Sequence, residues 1–294
     1  MKIIQTITAD QDTGGARLSD YLVGKSDFLP SRKSVRKAID QGWILVNGQI
    51  GSTGKRIQPG YRIDICAPDQ PLLRVLPLDI PVLFEDEYLA VVQKPSGIPV
   101  SGNQYRTLQQ ALPHNIQPST MPDALHLPRP VHRLDAPTSG LLMIAKTAAA
   151  AVRLGHLFEQ RGIHKTYEAI VTGAMPESGR LSTPVQQLEA ITDFFRKEIV
   201  PSPRNGYLSH MILQPHTGRT HQLRIHLATA GHPIMGDKDY GNPGNIYKGK
   251  GLFLCATGLR CQHPFSGETL DIRIAPPNKF SLLLDRERSR STEK

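Results

Sequence analysis

Cysteine is scarce in this chain. Cys66, Cys255 and Cys261 are the only three in 294 residues, widely spaced and without a Cys-x-x-Cys pair. Neither a disulfide framework nor a thiolate zinc site is indicated, and buried thiols are expected. No run approaches the roughly 18 consecutive apolar residues of a membrane helix, and the opening MKIIQTITADQD has no signal-peptide apolar core. A cytoplasmic chain without membrane association is the expectation. Neither a Gly-x-Gly-x-x-Gly turn nor a complete phosphate loop ending in Gly-Lys-Ser/Thr occurs, so no motif calls for a dinucleotide or ATP.

What is abundant is positive charge. Lysine and arginine outnumber the acids 35 to 26, for a net charge of +9 and a pI near 9.5. That balance suits a polyanionic partner, although it also aids solubility alone. A hydrophobic content of 39% over this length fits one large globular domain with a small one beside it.

The small module is legible in residues 1–66. ARLSDYLVG places Leu18, Tyr21 and Leu22 at helical spacing, and Ser31 then precedes SRKSVRKAIDQG, a second helical pattern. Ser31 is its expected N-cap and Gly42 its stop. Val35, Ala38 and Ile39 share one face, while Arg32 with Arg36 and Lys33 with Lys37 are like-charged i, i+4 pairs that repel unless an anion lies over them. Asn47-Gly48 signals a hairpin and RIDIC an alternating strand. Together these segments resemble the alpha-L RNA-binding domain of ribosomal proteins and RNA-modifying enzymes over about residues 16–66. The resemblance implies RNA-backbone contacts for Arg32, Lys33, Arg36 and Lys37.

Proline-rich residues 67–80 read as a linker, 81–284 as the large domain, and 285–294, RERSRSTEK with its preceding Asp285, as a disordered tail. In the large domain, strand-like runs flank the turn Lys94-Pro95-Ser96-Gly97. SGLLMIAKT reads as a buried strand, AAAAVRLGHLFEQRG as a helix and KTYEAIVTG as another strand. An α+β fold is expected, with flanking helices on a mixed, mainly antiparallel sheet and a small N-terminal α/β domain. The segments 103–128 and 193–206 match no motif, and Arg196, Lys197 and Arg204 read equally as part of a substrate-selecting loop or as solvated surface.

The chemistry centres on PVHRLDAPTSGLL, residues 130–142. Arg133 and Asp135 form either a surface ion pair or a turn that presents both charges to a ligand. Arg219 sits in a His-Thr-Gly-Arg turn. Arg224, flanked by Leu223, Ile225 and Leu227, either finds a carboxylate, for which Asp135 is available, or snorkels to the surface. His216, His221 and His226 lie five apart, which is not zinc-helix spacing, so local hydrogen bonds or RNA contacts are preferred to a metal. By pattern Tyr167 is a core-facing strand aromatic.

Four segments, HRLDAPTSGLLMIAKT, KTYEAIVTG, TGRTHQLRIHL and HPIMGDKDYG, resemble those of the RluA-type pseudouridine synthases, and KPSGIPV and HPFSGETLDIRIAPP also fit. The resemblance spans residues 81–277 and implies a pseudouridine synthase-like fold. It makes Asp135 the catalytic carboxylate, Arg224 its ion-pair partner and Tyr167 the aromatic placed against the target base. Arg133 would hold the flipped nucleotide, with Arg219 among the RNA contacts. The implied reaction isomerises uridine to pseudouridine and needs neither cofactor nor metal. Structured RNA is the implied partner, ribosomal RNA before transfer RNA; no protein partner is indicated and a monomer is expected. Two rivals are a noncatalytic RNA-binding or ribosome-assembly factor and a hydrolase using Asp135 as base.

Overall fold

The structure is a computed structural model that describes residues 2–13, 15–26, 28–67, 75–102 and 104–292. The chain divides into two compact units, Met1–Leu73 and Arg74–Lys294. Among the described residues no helix is long and apolar enough to cross a membrane, and all three cysteines are free and buried.

In the first unit, strands β1 (Lys2–Thr8), β2 (Ile44–Val46), β3 (Gln49–Ile50) and β4 (Arg62–Ala67) form a sheet ordered β1-β4-β2-β3. Helices α1 (Leu18–Tyr21) and α2 (Arg32–Asp40) contribute to the unit's core. Ser31 caps α2 as its sequence suggests, its hydroxyl accepting from the Ser34 amide at 3.2 Å. The helix ends where Gly42, at φ 71, lets its own amide reach Ile39 O and the Trp43 amide reach Ala38 O. Val35, Ala38 and Ile39 are buried, which turns the four cations away from the core. The Asn47-Gly48 turn joins β2 to β3.

The second unit is built on strands β5 (Val82–Glu85), β6 (Leu89–Lys94), β7 (Ala124–Pro130), β8 (Ser139–Thr147), β9 (His164–Thr172), β10 (Ser178–Leu181), β11 (Thr192–Ser202), β12 (Gly206–Pro215), β13 (Leu254–Gln262) and β14 (Thr269–Arg273). Their order is β10-β11-β12-β9-β13-β8-β6-β5, with β14 on β13 and β7 on β8. The pairings are antiparallel except at one seam, where β8 and β13 run parallel through Ser139–Cys255 and Gly140–Ala256. Every residue of β8 is buried. Leu142 and Ile144 enter the core shared with α3 (Leu108–Asn115), and Leu141, Met143 and Ala145 enter the one beneath α4 (Ala148–Glu159). A strand covered on both faces reads as an unbroken apolar run, which is why this one was visible in sequence. A third core gathers β9 to β13 with α5 (Gln222–Thr229) and α6 (Lys279–Thr292).

Two expectations need correction. The tail expected from residue 285 is helical through Thr292, because Phe280, Leu283, Leu284 and Glu287 recur at helical spacing and are buried. Glu287 accepts from Ser202 at 2.7 Å, and Arg288 reaches Glu198 at 3.0 Å. Of the linker, residues 68–74 lie outside the described residues, while Leu76 and Leu78 pack against the α3 core and Ile80 is buried in it. The segment 193–206, which matches no motif, is β11 with the turn into β12; Arg196 is half-buried there, Lys197 is exposed and Arg204 lies in the turn.

Candidate active site

Asp135 sits in the turn just before β8, four residues ahead of the parallel seam. The Thr138 amide closes that turn on Asp135 O at 3.0 Å. Lys94 holds it from below. Its fully buried ammonium donates to the carbonyls of Pro95 (2.9 Å), Ala136 (3.1 Å) and Thr138 (2.7 Å), using all three protons. The Gly97 amide donates to Ala136 O at 2.8 Å. The KPSG turn is thus the clamp for the Asp135 turn. Burial pushes Lys94 down to about 8, with the Asp135 charge opposing the shift.

On the other side stands the 216–224 segment. Buried Gln222 organises its turn: its side-chain oxygen accepts from Thr217 Oγ1 (2.7 Å) and the Arg219 amide (3.0 Å), and its Nε2 donates to Ile191 O and Thr192 Oγ1 (both 3.0 Å). His221 then enters α5 in the left-handed region, φ 58, a conformation that costs a non-glycine residue about 1–3 kcal/mol and clusters at functional sites. Its Nδ1 meets Tyr240 Oη at 3.0 Å and its Nε2 faces Asp135 Oδ1 at 3.7 Å. His216 pairs with Asp193, and His226 bonds to Thr192 Oγ1 and Thr183 O.

Arg224 is buried and points at the same carboxylate, but the expected ion pair is looser than foreseen. Nη1 lies 3.8 Å from Asp135 Oδ2. Its close partners are Asp237, bidentate at 2.8 and 2.6 Å, and Asp239 at 2.6 Å. Burial would pull the guanidinium down, and these bonds more than reverse it. Asp237 is buried too, which raises it, but Arg224 and the amides of Asp239 and Tyr240 hold it below the usual carboxylate range. A buried guanidinium without such partners would be very costly, so HPIMGDKDYG supplies the two carboxylates that hold Arg224. Asp135 is consequently faced by cationic groups yet accepts no side-chain hydrogen bond among the described residues, leaving its oxygens open to a ligand.

Asp135, Arg133, Tyr167, Arg219, His221 and Arg224 line one cavity of about 500 Å³, within the range of sites for small organic groups. Arg133 is exposed, and Arg219 is braced by its Nε bond to Glu189 O at 3.0 Å. Tyr167 lies where two cores meet; burial first and the Asp135 charge second push its phenol up, so it is protonated. Next to Arg133, His132 Nε2 accepts the Met143 amide at 3.0 Å, which puts its proton on Nδ1. Burial and then Lys165 push that ring down to about 3. Among the described residues no cluster of metal-ligating side chains is present.

Arg32, Lys33, Arg36 and Lys37 lie in the other unit, around one shallow depression on α2 with Asp40 and Gln41. Arg32 is not the unpaired cation that its sequence suggests: Asp20 of α1 reaches it at 3.0 Å. Sequence reading missed Lys94, Gln222, Asp237 and Asp239. Their signals, a lysine before Pro-Ser-Gly, a glutamine inside the histidine turn and two acids at i, i+2, acquire meaning only once partners are known.

Residues 88–229 match a family model described as RNA pseudouridylate synthase. An uncharacterized RNA pseudouridine synthase of Aquifex aeolicus is 30% identical, over 95% of this chain and 96% of its own. The ribosomal large subunit pseudouridine synthase D of Neisseria meningitidis is 31% identical, over 95% of this chain and 80% of its own. Among solved structures, human RNA pseudouridylate synthase domain containing 1 superposes with a TM-score of 0.56 at 25% identity, over 69% of this chain and 85% of that one.

Proposed function

Because this chain belongs to the RNA pseudouridine synthase family, and is therefore an isomerase acting on RNA, we propose that it converts uridine to pseudouridine in ribosomal RNA, with Asp135 as the essential carboxylate. The observation that carries the site assignment is the cavity in which Asp135, held from below by Lys94 and faced by Arg224 at 3.8 Å, opens beside protonated Tyr167.

The reaction breaks the N1–C1′ bond, turns the uracil and joins C5 to C1′; the proton that leaves C5 is matched by one taken up at N1, so no atom is gained or lost. One ionised carboxylate suffices as nucleophile or base. Glu159, the other acid lining the cavity, is exposed at the end of α4, which leaves half-buried Asp135 as the candidate. Arg224, locked by Asp237 and Asp239, stays charged and stationary, facing the carboxylate at 3.8 Å without occupying its oxygens. Tyr167 offers a ring face to an unstacked base and a hydroxyl to its edge. Arg133, exposed at the rim beside Asp135, is suited to the displaced nucleotide or its phosphate, and Arg219 to a neighbouring phosphate.

Residues 1–66 act as an alpha-L-type RNA-binding domain in this reading, with Lys33, Arg36 and Lys37 as phosphate contacts and Arg32 sharing its charge with Asp20. The ribosomal substrate rests on the large-subunit name of the Neisseria relative and on the basic α2 face. Mapping pseudouridines in total RNA with and without the gene tests it. Loss of a large-subunit ribosomal site on deletion, restored by the intact gene, is expected; loss confined to transfer RNA would contradict the substrate, and no loss would contradict the activity.

A further inference from the structure

Beyond Tyr167 the sheet comes apart. β12 pairs with β9 from Leu208–Thr172 to Leu213–Tyr167 and no further. His164, Lys165 and Thr166 continue on β13 alone, opposite Arg260, Leu259 and Gly258, while Gln214 and Pro215 stay with β11. Where the two strands diverge a second cavity opens, about 530 Å³ in volume. It shares Arg161, Ile163, Lys165, Pro215 and His216 with the Asp135 cavity, so the two meet along Lys165.

The walls of this groove carry Arg161, His164, Lys165, His216, Arg260 and Arg273 against one acid, Asp271. Some of that charge is already answered. Arg273 is bidentate to Asp271 at 3.0 and 3.1 Å, Arg161 meets Glu189 at 3.0 Å, and His216 meets Asp193 at 2.7 Å. Lys165 and Arg260 make no ion pair among the described residues. Lys165 stands at the throat between the cavities, only partly exposed, with a single long contact to Thr217 O at 3.4 Å. Burial also pushes its ammonium below the usual lysine range. A sequestered cation lacking a carboxylate is costly unless an anion completes it. Arg260 is exposed one step along, beside His164 on β9 and Asp271 on β14.

We propose that this groove carries a single RNA strand away from the target nucleotide, Lys165 binding the phosphate next to the nucleoside over Asp135 and Arg260 with His164 binding the phosphates that follow. The inference rests on the reading of uridine in RNA as substrate, and it assigns the strand's path to residues outside the catalytic set. Phosphate is the anion that every flanking nucleotide supplies, and a groove reading phosphates tolerates any flanking sequence.

The test uses the full chain, with ribosomal RNA purified from cells lacking the gene as probe, and follows pseudouridine formation over a series of salt concentrations. Arg260→Glu alters an exposed side chain and leaves the fold intact. It should raise KM roughly tenfold, the loss of one charge-assisted contact, and lower the log KM against log salt slope by about one. Lys165→Met should do the same. Lys248→Glu, an equal charge change on an exposed lysine outside the groove, sets the baseline. Arg260→Glu matching Lys248→Glu in both KM and slope would overturn the groove. A wild-type protein that forms no pseudouridine would instead contradict the activity. The groove is then judged by binding of the same RNA alone, where Arg260→Glu must still weaken the complex and flatten its salt dependence.

Discussion

His132 shows how tightly single residues are constrained around the cavity. A second proton would displace the Met143 amide from Nε2 and put a charge near Lys165 in a half-buried place. Its folded value of about 3 lies below the ordinary 6.5, so between the two the unfolded chain binds a proton that the folded chain does not. Stability from this group is therefore fully present above pH 6.5 and is lost as pH falls toward 3. In His132→Asn, whose amide oxygen can still accept the Met143 N–H, unfolding free energy measured between about pH 4 and 6 should depend less on pH, by up to one proton. An unchanged slope would contradict a neutral His132. At this scale the resemblance singled out Asp135, Tyr167 and Arg224, which line one cavity; by pattern alone Tyr167 reads as core and Arg224 is undecided between a carboxylate partner and the surface. Lys94, Asp237 and Asp239 were not singled out, since their roles come from carbonyls and a guanidinium that only the folded chain brings within 3.1 Å.

Elements hold these residues through one narrow junction. β8 meets β13 at two residue pairs, Ser139–Cys255 and Gly140–Ala256, directly after the Asp135 turn. Gly140 has φ 120, and a Cβ there would come within 2.2 Å of Ala256 O, a collision with backbone that no rotamer relieves. Gly140→Ala should therefore destabilise the second unit by about 2–4 kcal/mol and depress turnover together with melting temperature. Denaturant unfolding followed alongside activity checks this, and a variant as stable as wild type would contradict the seam's geometry. Sequence disclosed β8 because it is a continuous apolar run, α4 because it is an alanine-rich helical pattern and, in the first unit, α2 because Ser31 precedes its helical pattern. It did not disclose the parallel seam, whose partners are 116 residues apart, nor the β11–β12 hairpin, nor the docking of α6, whose apolar residues from Phe280 to Leu284 are followed by an arginine-rich second half.

Across the whole molecule, chemistry and binding are distributed differently. The proposed chemistry lies in one cavity of the second unit, whereas the net charge of +9 is spread over both, with a distinct cationic cluster on α2. Binding energy for a polyanion is then a sum of many phosphate contacts. Lys33→Ala with Arg36→Ala should weaken RNA binding and lower the log-log salt slope by about two, roughly one per lost contact, while circular dichroism and melting of the protein stay as in wild type. A slope equal to wild type would remove α2 from the RNA surface.

That separation makes one substitution decisive. Asp135→Asn keeps the shape of the turn and removes the charge faced by Arg224 and His221; an amide is a far poorer nucleophile and base. RNA affinity, supplied by phosphate contacts elsewhere, should remain within about threefold of wild type. The direct measurement is pseudouridine content at a target site after incubating ribosomal RNA from cells lacking the gene with purified Asp135→Asn protein. The expected result is no product above background under conditions where wild type reaches completion; substantial pseudouridine from the verified variant would contradict the assignment of Asp135.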